Sequence, residues 1–138
     1  MPRKPKVWMA APTRRPTPKP SPTEKAAITK ACEALITETI IPKYLPEIRP
    51  TEFNYPVAIY GKWIGNKYRF MTKFKSEAPN RISPEFERPY ARIDYDGPDR
   101  FSVWWHRHTG EWRCMHEDKS LTEALHLIVT EPYIRPPV

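Results

Sequence analysis

Apolar residues at Ala27, Ile28, Ala31, Cys32, Leu35 and Ile36 recur three and four positions apart, the spacing of one helix face. Ser21-Pro22-Thr23-Glu24 stands in front of them. Ser21 can cap the helix, Pro22 suits the first helical position, and Glu24 closes a capping box. The pattern predicts a helix from Pro22 that stops near Ile41, because Pro42 disfavours helix in the residue before it. Residues 42–56 carry Pro42, Pro46, Pro50 and Pro56 and read as an extended connector.

The period then changes to two. Val57–Ile64 is a strand, turning at Gly65-Asn66 into Lys67–Lys75. In the second strand Tyr68, Phe70 and Phe74 point one way, and Lys67, Arg69, Lys73 and Lys75 the other. After a loop over roughly 76–89, strands are expected at Tyr90–Tyr95, Phe101–His108 and Trp112–His116, with turns at Asp96-Gly97 and Thr109-Gly110. Ser120-Leu121-Thr122-Glu123 is a second capping box. It opens a helix with Leu121, Ala124, Leu125 and Ile128 on one side, ending before Pro132. Short turns between successive strands imply an α+β domain, a five-stranded antiparallel meander flanked by an N-terminal and a C-terminal helix. Residues 22–134 form that domain, 1–21 a disordered tail and 135–138 a short C-terminal tail.

A two-residue turn at Thr109-Gly110 sets a register. Arg107 then opposes Trp112, Trp105 opposes Cys114 and Val103 opposes His116, all on the buried face with Phe101. Trp104 opposes Met115, His106 opposes Arg113 and His108 opposes Glu111 on the other face. This parity argues against zinc at His106, His108, Cys114 and His116, since a closed site would need the hairpin broken. It also argues against a catalytic pair of Cys114 and His116, and Cys32 reads as a small buried residue.

Composition changes the picture at one end. With 138 residues the chain has room for one ordinary domain, and its 12% aromatic content can build a core. Six of the 23 Lys and Arg residues, and none of the 16 acids, fall in the first 23 residues: Arg3, Lys4, Lys6, Arg14, Arg15 and Lys19. Nearly all of the net charge of +7 therefore belongs to this proline-rich segment. It reads as a flexible arm for a polyanion, RNA or DNA, with Trp8 available to stack on a base; the bland alternative is a solubilising tail. Val7–Ala11 is too short for a signal-peptide apolar region, and no run approaches the length of a membrane span. Two cysteines make no disulfide framework, so a reducing, cytoplasmic location is expected.

The outward side of the sheet is the second candidate surface. Lys67, Arg69, Lys73 and Lys75, joined by Arg92, Trp104, His106 and Arg113, interleave basic groups with an aromatic ring, as phosphate contact plus stacking requires. A half-solvated sheet that simply carries charge outside is the alternative. Pro98-Asp99 followed by Glu117-Asp118-Lys119 formally fits a Mg²⁺-dependent nuclease, with Asp99 and Glu117 holding the metal and Lys119 activating water. Asp99 is off parity with Glu117, so a turn residue is the simpler account.

Glu87-Arg88-Pro89-Tyr90-Ala91-Arg92, Trp104 through Trp112, and Ser120-Leu121 to Glu131-Pro132-Tyr133 together resemble the small bacterial domain-of-unknown-function family 3024. Trp105, Arg107, Gly110, Trp112 and the Pro132-Tyr133 pair carry most of the resemblance, which covers roughly residues 22–134. The family usually continues with glycine and an aromatic where Ile134-Arg135 stands here. The resemblance implies the fold and supplies no activity or catalytic residues. The residues themselves point to a nucleic-acid-binding module, or accessory subunit in a larger nucleoprotein assembly, needing no cofactor, metal or membrane. The alternatives are a protein-interaction subunit and a Mg²⁺-dependent nuclease.

Overall fold

A computed structural model describes residues 17–79 and 83–138. Helix α1, Pro22–Leu35, starts at the expected capping box. Glu24 N–H donates to Ser21 Oγ at 3.1 Å, and Ser21 N–H donates to Glu24 Oε1 at 2.9 Å. The other Glu24 oxygen accepts from the Tyr95 hydroxyl at 2.7 Å, so the cap also ties the helix to the sheet.

The helix does not stop at Ile41. A π-helical turn, Ile36–Ile40, carries it through Pro42 into α2, Ile41–Tyr44. The Ile41 N–H reaches back five residues to the Ile36 carbonyl. Proline in a helix clashes with the carbonyl four residues earlier, and a wider turn before it relieves that crowding. Ile28, Cys32, Ile36 and Ile40 form one buried stripe, and the extended connector begins only after Tyr44.

Five strands follow: β1 Asn54–Ile64, β2 Lys67–Ser76, β3 Glu85–Gly97, β4 Arg100–His106 and β5 Trp112–Lys119. They pair antiparallel in the order β1-β2-β3-β4-β5, and α3, Leu121–Thr130, closes the chain of elements. The fold is the α+β meander with an N-terminal and a C-terminal helix. The helices cover the face made by Ile59, Tyr68, Phe70, Ile93, Phe101 and Val103. Ile134 is buried in the same core, so the chain after α3 folds back onto the domain. No helix among the described residues is long and apolar enough to cross a membrane.

Strand β3 begins five residues before the expected Tyr90, despite Pro89. Met71 pairs with Pro89 and Phe70 with Ala91, so Tyr90 is an extra residue in a bulge. A proline without its N–H is tolerated at such an irregularity. The β3–β4 turn is at Pro98-Asp99, not Asp96-Gly97, with Gly97 paired to Arg100. Proline fixes a negative φ at the first turn position and Asp99 adopts φ +48° at the second, the combination of a type II turn.

The last hairpin departs most from the sequence reading. Arg107 N–H donates to Glu111 at 2.8 Å, leaving His108, Thr109 and Gly110 as a three-residue loop with Gly110 at φ +93°. The extra loop residue shifts the register by one. His106 therefore opposes Trp112, Trp105 opposes Arg113, and Trp104 opposes Cys114. Trp112 and Cys114, expected on the buried face, lie on the face away from the helices; Cys114 is exposed. A register shift between Val103 and Trp104 absorbs Met115 and restores the expected pairing of Val103 with His116. His116 Nε2 then meets Glu131 Oε2 at 2.9 Å, beside the end of α3.

A candidate nucleic-acid interface at the hairpin end of the sheet

Strand alternation puts Lys67, Arg69, Lys73, Arg92, Trp104 and His106 on the face away from the helices, as expected. Their surroundings differ from a solvated row of charges. Arg92 is only 8% exposed. Its guanidinium lies 4.2 Å from the Trp104 ring centroid and 4.6 Å from that of Trp112. Its Nε donates to Asp94 Oδ1 at 2.8 Å. Trp104 Nε1 donates to Ser102 Oγ at 3.0 Å. Arg69, directly opposite Arg92, stacks over Trp112 at 5.4 Å. Two adjacent arginines are thus held by ring faces and one carboxylate, a small second core on the outer face.

Arg92 and Trp104 are accordingly engaged within the protein. Lys67 Nζ lies 3.8 Å from Asp94. Lys73 and Lys75 stand opposite Glu87 and Glu85, and Glu87 also pairs with Lys62. Arg113 is exposed on β5, opposite Trp105. Lys19 is exposed, whereas Arg3, Lys4, Lys6, Trp8, Arg14 and Arg15 lie outside the described residues.

The nuclease-like residues take structural positions. Asp99 Oδ1 accepts from the Leu121 N–H at 2.9 Å, satisfying a free donor at the start of α3. Asp118 Oδ1 accepts from Arg100 Nε at 2.8 Å, and Lys119 stands opposite Phe101. Among the described residues no three His, Cys, Asp or Glu side chains gather in a way that could hold a metal ion.

A different site emerges where the first half of β3, the β4–β5 loop and the C-terminal segment meet. A groove of about 800 Å³ is lined there by Arg88, Tyr90, Trp105, His106, Arg107 and Arg135. Glu87 is the one acid among the described lining residues, and it faces Lys62. Arg88 and Arg135 are exposed. Arg107 lies over the Trp105 ring at 5.9 Å and reaches Glu111 at 3.3 Å, while its Nε is buried without a partner. Trp105 packs on Tyr133 with ring centroids 5.2 Å apart. Burial, then the Arg88 and Arg69 guanidinium groups, hold His106 below the usual imidazole range. Arg88 and Arg135 have no acid paired with them among the described residues and stand exposed at the groove, open to an incoming anion.

Of these residues only His106 was a sequence candidate. Arg88 fell in an expected loop, Arg135 in an expected tail, and Arg107 on the supposed buried face. One signal did exist: Arg88-Pro89-Tyr90 and Trp105 through Gly110 are two of the stretches that carry the family resemblance, and both line this groove.

No curated protein and no solved structure matches the chain. The model of one family, the domain of unknown function DUF3024, matches residues 20–134. That span holds every helix and strand among the described residues and nearly all of the groove, and the chain belongs to the DUF3024 family.

Proposed function

We propose that this protein is a small nucleic-acid-binding module, or the accessory subunit of a nucleoprotein complex. The observation that carries the reading is the convergence of Arg88, Arg107 and Arg135 on one aromatic-lined groove. Guanidinium groups bind phosphate through paired N–H donors, and rings beside them suit bases. The basic segment before α1 supports the reading, because six cations without an acid add non-specific affinity for any polyanion. Two cysteines outside any disulfide fit a reducing, cytoplasmic setting.

Removing residues 1–20 tests this. The Ser21 cap is retained, so the fold should persist. Affinity for RNA or DNA should fall, and the slope of log affinity against log salt should flatten as fewer counterions are released. An unchanged slope would count against the arm.

A second reading, a protein-interaction subunit, has its own observation. Phe53 and Ile48 are 66% and 53% exposed in the connector after α2, two large apolar side chains within six residues that a protein partner could cover. Binding of a protein partner lost on Phe53→Ser, with no nucleic-acid affinity at all, would favour it.

A further inference from the structure

We propose that the groove at the hairpin end selects single-stranded nucleic acid, seating a backbone phosphate among Arg88, Arg107 and Arg135 and an unpaired base beside Trp105. The inference rests on the nucleic-acid reading above and specifies its ligand class.

The size of the groove suits a short single-stranded segment. At about 800 Å³ it falls in the range of small-ligand pockets, about 300–1,000 Å³, which suits one or two nucleotides. Its lining points the same way. Trp105, half-buried at the mouth of the groove, offers ring surface, and a base can present its face to a side chain only when it is out of a duplex stack. The charge is arranged for a phosphate. Arg88 comes from β3, Arg107 from the start of the β4–β5 loop and Arg135 from beyond α3, so three separate segments each bring one guanidinium to the groove. Arg107 keeps about a quarter of its side chain exposed, at 28%, beside its contact with Glu111, so its guanidinium can turn toward an anion in the groove. The outer sheet face cannot substitute: Arg92 is enclosed by Trp104 and Trp112, and Lys73 and Lys75 stand opposite Glu87 and Glu85.

The test uses the full chain and fluorescent oligonucleotides of mixed sequence, as single-stranded RNA, single-stranded DNA and the matching duplexes, at one salt concentration. Single strands should bind about ten-fold or more tightly than duplex. Arg88→Gln and Arg135→Gln remove exposed side chains and should leave the melting temperature unchanged. Each should weaken single-strand binding about ten-fold, the usual loss for a charged hydrogen bond. A single strand lacking bases keeps its phosphates and should bind several-fold more weakly. Equal affinity for duplex, parental affinity in both arginine variants, or undiminished binding of the baseless strand would each overturn the groove assignment. In those three cases a salt-dependent affinity that still falls on removing residues 1–20 leaves the broader reading standing. Absence of binding to every nucleic acid would remove both.

Discussion

The Arg92 guanidinium stacks on the Trp104 ring at 4.2 Å, on the sheet face that carries no helix. Asp94 holds its other edge and Trp112 closes the far side at 4.6 Å. A desolvated cation–π contact is worth about 2 kcal/mol, and a guanidinium so enclosed depends on its partners. Trp104→Ala should therefore cost about 2 kcal/mol in urea unfolding. Arg92→Lys should cost a comparable amount, because an ammonium cannot stack flat or chelate the carboxylate. Phe70→Ala, in the fully buried core, should cost more, about 3–5 kcal/mol. A Trp112→Ala loss larger than that of Phe70→Ala would restore the two-residue loop and place Trp112 under the helices.

Gly61 has no room for a side chain. A Cβ there would stand 2.1 Å from the Tyr68 hydroxyl oxygen and 2.2 Å from Tyr68 Cζ. Tyr68 is 1% exposed and cannot swing into solvent without opening the core. Gly61→Ala should destabilise by about 1–3 kcal/mol or more, the usual cost of overpacking. Tyr68→Phe by itself should be close to neutral, since the buried hydroxyl has no partner to lose. It should not rescue Gly61→Ala, because the ring carbon still clashes, whereas Tyr68→Leu should recover part of the loss. Additive losses in the Gly61→Ala, Tyr68→Leu double variant would contradict the contact.

His106 links the groove to pH. It sits among Arg88 of β3, Arg69 of β2 and the Trp112 ring of β5, which meets it edge-on at 4.7 Å. Burial first, then the two guanidinium groups, lower its pKa from 6.5. The unfolded chain then takes up a proton near 6.5 that the folded chain still refuses. This contribution to stability is intact above that value and declines as pH falls through it toward the lower folded value. His106→Gln should reduce the drop in melting temperature between about pH 7.5 and about pH 5.5. An imidazole that titrates above 6.5 by NMR in the free protein would reverse the sign.

Acid should loosen both capping boxes. Hydrogen bonds from the Ser21 backbone, then from Tyr95, lower the Glu24 pKa from 4.5, and the Ser120 backbone and hydroxyl do the same for Glu123. A depressed carboxylate stabilises the fold fully above its unfolded value, and the benefit is lost as pH falls through the folded one. Glu24→Gln and Glu123→Gln should lower the melting temperature near neutral pH and converge on the parent as acid protonates the two carboxylates in the folded state. Equal deficits at both ends of the range would mean that the charge has no part in it.

Four-residue signals determined much of this protein. Ser21 to Glu24 and Ser120 to Glu123 announce both helix starts because a capping box is made by the residues that spell it. Alternation along β2 is equally local, and it separates Phe70 from Lys73 without reference to any neighbour. The meander follows, since strands joined by short turns pair in order.

What tertiary structure decided lies where one residue changes a face or where distant segments meet. Thr109-Gly110 reads as a two-residue turn, yet the backbone closes between Arg107 and Glu111. That single step moved Trp112 from the core to a stack on Arg92, because side chains alternate with period two. Pro42 reads as a stop, and a π-helical turn carries the chain past it so that Ile40 can reach the core. Pro89 reads as loop, and a bulge at Tyr90 admits it to an inner strand. The groove shows the limit most clearly. Arg88, Arg107 and Arg135 stand far apart in the chain, and no local pattern joins them. The bulge in β3, the three-residue loop and the burial of Ile134 together bring them to one place, because each resets where the next residues of its own segment stand.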